Sequence, residues 1–142
     1  MTSPVRGSCA CGAVRFECDL PPRFVCHCHC NNCRKAHGAA FVTWAGIPDA
    51  QFRWLTDADA PGRWLTDTGA TRTFCRTCGT TMLYASPRWP DEVHVAVAVL
   101  DDPLGVPPKV HVYADRAPDW CPISDGLPRF GGASGTEPIA TG

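Results

Sequence analysis

The chain has 142 residues, with 13 Lys or Arg, 14 Asp or Glu and a formal net charge of -1. That length suits one domain and suffices to bury a sizeable core without crosslinks. With 44% hydrophobic and 19% charged residues the composition is that of a folded protein. The near-zero charge gives no electrostatic reason to expect a nucleic acid or an anionic membrane as partner. No apolar run approaches the roughly 18 residues of a membrane span.

Residues 1–9, Met-Thr-Ser-Pro-Val-Arg-Gly-Ser-Cys, lack the apolar core of a secretory signal, so the expected location is cytoplasmic. Ten cysteines in a reducing compartment do not read as a disulfide framework. Their spacing has to be explained by metal binding or by reactivity.

Strand signals dominate. Val14, Phe16, Cys18 and Leu20 alternate with polar residues, the period of a half-buried strand. Residues 39–44 form a short apolar run. Asn31 to His37 is the one stretch that suits a short helix, with Gly38 to end it. The pentapeptide Arg53-Trp-Leu-Thr-Asp57 recurs as Arg63-Trp-Leu-Thr-Asp67, and the turn-forming residues between suggest a hairpin pairing the two copies. Thr71 to Phe74 and Thr80 to Ala85 flank a Cys-x-x-Cys turn as two strands of a hairpin. Glu92 to Leu100 sets Val93, Val95, Val97 and Val99 on one face, and Lys109 to Tyr113 reads as a further strand. Fourteen prolines and thirteen glycines punctuate these runs. The pattern predicts a mostly β domain with little helix over residues 1–130, followed by a small, polar C-terminal tail, 131–142, expected to be flexible.

Eight cysteines fall into three clusters: Cys9-x-Cys11, Cys28-x-Cys30-x-x-Cys33 (preceded by Cys26) and Cys75-x-x-Cys78. A two-residue spacer lets both sulfurs of a pair reach one ion, and the following glycine eases the turn. Cys9, Cys11, Cys75 and Cys78 together complete a tetrahedral four-thiolate zinc site that ties the N-terminal strand to the 74–85 hairpin. Cys28, Cys30 and Cys33 supply three sulfurs, and three protein ligands leave a fourth position for a substrate, the usual arrangement of catalytic zinc. A soft thiolate suits that position. Alternatively Cys26, His27 or His29 closes the site as a fourth ligand.

His27 and His29 could otherwise orient the ligands from behind, and His37 lies just past the third sulfur. His94 and His111 read as strand residues. The sequence shows no acid paired with any of them. Cys18 reads as a small core residue, and Cys121 has no evident role.

Three stretches carry a resemblance: Gly7-Ser-Cys-x-Cys-Gly-Ala-Val-Arg-Phe16, Cys28-His-Cys-x-x-Cys-Arg34 and Phe74-Cys-x-x-Cys-Gly79. They resemble the glutathione-dependent formaldehyde-activating enzyme family, which includes the centromere protein V-like proteins. Val110 to Trp120 is similar to that family's C-terminal His-Ile-aromatic segment. The resemblance covers about residues 6–130. It implies a β-tent fold of stacked antiparallel sheets, a structural zinc at Cys9, Cys11, Cys75 and Cys78, and a second, catalytic zinc at Cys28, Cys30 and Cys33.

The implied activity is that of a carbon–sulfur lyase acting on a thiol–aldehyde adduct, with glutathione and formaldehyde giving S-hydroxymethylglutathione. The implied partners are a small thiol and a small aldehyde, with no nucleic acid or membrane. The alternative is a non-catalytic, zinc-stabilised binding or scaffold module of the same fold. The extra pair Cys26-His27 departs from the family pattern; there Cys26 would compete for zinc or serve as a redox switch.

Overall fold

The computed structural model describes residues 3–139. The last three residues of the tail expected to be flexible, 140–142, lie outside the described residues. The chain divides into two compact units that interleave in sequence: 1–23 with 45–105, and 24–44 with 106–142.

The first unit holds a three-stranded antiparallel sheet, in the order β1 (Val5–Ser8), β2 (Arg15–Cys18), β5 (Phe52–Trp54). Phe16 stands at its centre, fully buried, stacked on Phe52 at 5.2 Å between ring centroids and edge-on to Trp54 at 6.3 Å. Its cross-strand partner is Gly7. A Cβ at residue 7 would overlap the Phe16 ring, so the missing side chain is what lets that ring lie across the neighbouring strand. The same device recurs where Gly62 faces Phe74. Because Phe16 is enclosed, its ring has nowhere to move. Gly7→Ala is therefore expected to destabilise the protein by about 1–3 kcal/mol through overpacking, read as a lowered denaturation midpoint at unchanged slope.

The same unit contains an antiparallel run in the order β9 (Glu92–Ala96), β8 (Thr81–Ala85), β7 (Thr71–Phe74), β6 (Gly62–Leu65). The expected 71–85 hairpin is present, with the Cys-x-x-Cys turn between its strands. The two pentapeptide copies do not pair with each other, contrary to the hairpin expectation. Phe52–Trp54 joins β2, whereas Gly62–Leu65 joins β7. The expected strand from Glu92 to Leu100 stops at Ala96, and Val97–Val99 form a 3-10 turn that carries Leu100 to a bridge with Gly7. Valine alternation continues through that turn, but two of the four valines leave the buried face.

In the second unit β3 (Phe24–Cys28) lies between β10 (Val110–Val112), to which it is parallel, and β4 (Val42–Pro48), whose last four residues belong to the first unit. Helix α1 (Asn31–His37) follows β3 and ends at Gly38, whose φ of 60° closes it, as the sequence suggests. β11 (Phe130–Gly131) pairs with β12 (Glu137–Pro138). Val25, Cys26 and Cys28 of β3 and Val42, Trp44, Ala45 and Ile47 of β4 are buried. The mostly β architecture with little helix read from the sequence is the one found. No helix among the described residues is long and apolar enough to cross a membrane.

Candidate metal centres

In the first unit the sulfurs of Cys9, Cys11, Cys75 and Cys78 all lie within 4.8 Å of one another. Cys9 and Cys11 sit in the turn after β1, and Cys75 and Cys78 in the turn between β7 and β8. Cys9 Sγ to Cys11 Sγ and Cys11 Sγ to Cys75 Sγ are both 3.7 Å. Two sulfurs about 2.3 Å from one tetrahedral zinc stand about 3.8 Å apart, so the spacing is compatible with a shared metal ion and far too long for a disulfide. All ten cysteines are free thiols.

Each turn is shaped to hold sulfur. Gly12 and Gly79 adopt φ of 79° and 80°, values that a side chain would strain. Within these turns the Val14 N–H donates to Cys9 Sγ at 3.2 Å, and the Thr77 and Cys78 N–H groups reach Cys75 Sγ at 3.4 and 3.5 Å. Such donors stabilise a thiolate. The Thr80 hydroxyl, 3.2 Å from Cys78 Sγ, and then the Thr80 N–H hold the Cys78 thiol down to about 5. Cys75 is lowered by the N–H groups of Cys78 and Thr77. At Cys11 the Ala13 N–H acts downward, but burial and the adjacent thiols win and push it up to about 11.

In the second unit the sulfurs of Cys28, Cys30 and Cys33 form a group within the same 4.8 Å limit, with Cys28 Sγ to Cys33 Sγ at 3.7 Å. Cys28 ends β3, Cys30 is the N-cap of α1, and Cys33 is the buried residue of that helix. The Cys30 sulfur accepts the Cys33 N–H at 3.3 Å, the role an N-cap oxygen usually fills. Among the described residues no carboxylate, histidine or further cysteine joins the three. Cys28 is held up by the adjacent thiols of Cys30 and Cys33 and by burial. Cys30 is lowered by Cys28, but Cys33 and burial outweigh that and leave it raised.

Cys26 and His27, the departures from the family pattern, stand outside this group. Cys26 is buried, and desolvation followed by the proximity of Cys33 pushes its thiol up to about 12. A thiol so seldom ionised is a poor nucleophile for redox exchange. His27 Nδ1 lies 2.8 Å from the Thr43 hydroxyl, and its ring sits 5.0 Å from Phe41. His37 packs edge-on against Trp44, and Cys18 is buried in β2.

The sequence shows no acid partner for the histidines, but the structure supplies two. In the first unit His94 Nε2 lies 2.6 Å from Glu92 and packs with Tyr84 and Trp89, as a strand residue. In the second, His111 Nε2 lies 2.8 Å from Asp125 Oδ1, and His111 Nδ1 lies 2.8 Å from His29 Nε2. His29 and His111 are buried, at 2% and 4% exposure. Burial first, then the repulsion that a protonated His111 would exert, pushes His29 down to about 4, so it is neutral at ordinary pH. Asp125 sits fourteen residues past His111 in an irregular loop, where no local pattern marks it.

The glutathione-dependent formaldehyde-activating enzyme family matches the chain over residues 4–116. That span contains both thiol clusters. The chain belongs to that family. It is 35% identical over 126 residues to a Halomonas elongata protein provisionally named a glutathione-dependent formaldehyde-activating enzyme, a match covering 84% of this chain and 80% of that one. Among solved structures it is similar to a Rhodobacter sphaeroides protein, with a TM-score of 0.59 and 32% identity over 72% of this chain and 91% of that one. As a member of the formaldehyde-activating family, this protein carries two cysteine clusters able to hold a metal ion. His111 lies inside the matched span and Asp125 beyond it.

Proposed function

We propose that the protein is a zinc-dependent carbon–sulfur lyase acting on the adduct of glutathione with formaldehyde, in a cytoplasmic setting. The observation carrying this reading is the contrast between a four-sulfur group and a three-sulfur group that no further donor residue among the described ones completes. Cys9, Cys11, Cys75 and Cys78 would hold a structural zinc. Cys28, Cys30 and Cys33 would hold the second, which when bound supplies thiol deprotonation at neutral pH.

In the synthetic direction the glutathione thiol loses its proton and its sulfur forms a bond to the formaldehyde carbon. The carbonyl π electrons move to oxygen, which takes up a proton and becomes the hydroxyl of S-hydroxymethylglutathione. The reverse direction breaks the same C–S bond. The chain's part is positional. The Cys33 N–H fixes the Cys30 sulfur, and the burial of Cys28 and Cys33 keeps water from the inner side of the triplet. Three converging soft donors favour sulfur in the fourth position.

Cobalt-substituted protein titrated with glutathione tests this. The thiolate-to-metal absorption band is expected to shift and grow as substrate sulfur enters, with saturation at one glutathione per chain. A band that glutathione leaves untouched would favour the rival reading, a zinc-stabilised module without turnover.

A further inference from the structure

The group formed by Asp125, His111 and His29 has a direction. An ionised carboxylate can only accept, so the bond at 2.8 Å makes His111 Nε2 the donor, and the neutral imidazole then keeps its lone pair on Nδ1. That lone pair, 2.8 Å from His29 Nε2, requires the proton of His29 to sit on Nε2. His29 Nδ1 is then an acceptor. It is buried and has no hydrogen-bond partner among the described residues. A buried acceptor left without a donor costs about 1–3 kcal/mol, so a fold that holds one in place has a use for it. Asp125 is itself kept ionised by His111 and by the Leu127 N–H, which donates to the same oxygen at 3.0 Å.

The position of this acceptor is informative. His29 stands between Cys28 and Cys30, and Nδ1 is the ring nitrogen adjacent to Cγ, so it stays close to the backbone that joins two of the three thiols. The His29 backbone is also tied down on both sides. Its N–H donates to the Val112 carbonyl at 3.1 Å, and its carbonyl accepts from Arg34 Nε at 3.3 Å. The ring therefore cannot turn away without losing the bond to His111.

We propose that Asp125 and His111 are positioning residues that lock His29 in one tautomer, and that His29 Nδ1 accepts the hydroxyl hydrogen of a hydroxymethyl thioether bound beside the triplet. This rests on the reading of Cys28, Cys30 and Cys33 as the substrate site. The hydroxyl is the group that distinguishes the adduct from a plain thioether, so an acceptor that meets it would select the adduct.

The test uses full-length, zinc-loaded protein labelled with 15N-histidine. Two probes are compared: S-hydroxymethylglutathione, formed in the sample from glutathione and formaldehyde, and S-methylglutathione, which lacks the hydroxyl. The wild-type spectrum should show His29 protonated at Nε2 and bare at Nδ1, and the adduct alone should move the Nδ1 signal. Asp125→Ala should release the tautomer into a mixture and weaken apparent affinity for the adduct about tenfold. Asp125→Glu, which keeps an accept-only carboxylate, should recover part of both. A wild-type Nδ1 that is already protonated overturns the proposal, as does an equal response to both probes or an Asp125→Ala protein with unchanged tautomer and affinity. If the cobalt band responds to glutathione while Nδ1 ignores the adduct, this inference falls and the lyase reading stands. If the cobalt band does not respond, both fall.

Discussion

Cys78→Ser is expected to leave a chain with no cooperative native state. The residue is solvent-exposed, so without a metal its replacement by a near-isosteric hydroxyl should change stability by no more than about 0.5 kcal/mol. With a metal, the same change removes one of four ligands from a site whose apparent binding free energy in comparable zinc modules is about 10–16 kcal/mol, against a net domain stability of roughly 5–15 kcal/mol. The two accounts differ by an order of magnitude at one surface atom. Circular dichroism and calorimetry of the variant, with chelator-treated wild type alongside, decide between them. A cooperative transition close to that of the untreated protein in both samples would show that the four sulfurs carry no structural ion.

Cys30→Ser should do the opposite, keeping the fold and losing the activity. The reason lies in what Cys30 does locally. Its sulfur caps α1 by accepting the Cys33 N–H, and serine is a better residue for that task. Helix entry is preserved while a soft ligand is exchanged for a hard one. Turnover of S-hydroxymethylglutathione, followed by exchange spectroscopy, should drop to the uncatalysed background, with a metal content about one ion per chain below that of the wild type. Unfolding comparable to that of Cys78→Ser would make the triplet structural.

The pH dependence has a definite sign. Thiols must give up protons to bind a metal ion, so an ion held at either cluster is expected to leave as pH falls. In the four-sulfur group Cys11 is raised but Cys75 and Cys78 are lowered, whereas in the triplet Cys28 and Cys30 are both raised, so the triplet should empty first on acidification. Metal content measured after dialysis at stepped pH checks the order.

Local chemistry explains which parts of this were legible in the sequence. The 71–85 hairpin announces itself because strand formers flank a Cys-x-x-Cys-Gly turn, and α1 because a polar start and Gly38 bound it. Both thiol clusters were readable, since sulfur spacing along the chain limits which atoms can meet. Elsewhere tertiary pairing overrode the pattern. The two Arg-Trp-Leu-Thr-Asp copies look self-complementary, yet β2 and β7 compete for them and win. Val97 and Val99 keep the strand period while the backbone turns. Asp125 left no trace at all, because its importance comes from a loop folding back onto His111, and nothing within a few residues of it encodes that.

The four-sulfur group also has a consequence in time. Cys11 and Cys78 are separated by 67 positions, so a ribosome adding about 5–20 residues per second delivers the second pair roughly 3–13 s after the first. During that interval the nascent chain displays half a chelate, a vicinal dithiol exposed to oxidants and to stray soft cations. Translation speed across that stretch, and the free zinc available when it ends, would therefore govern how much of each newly made batch matures correctly.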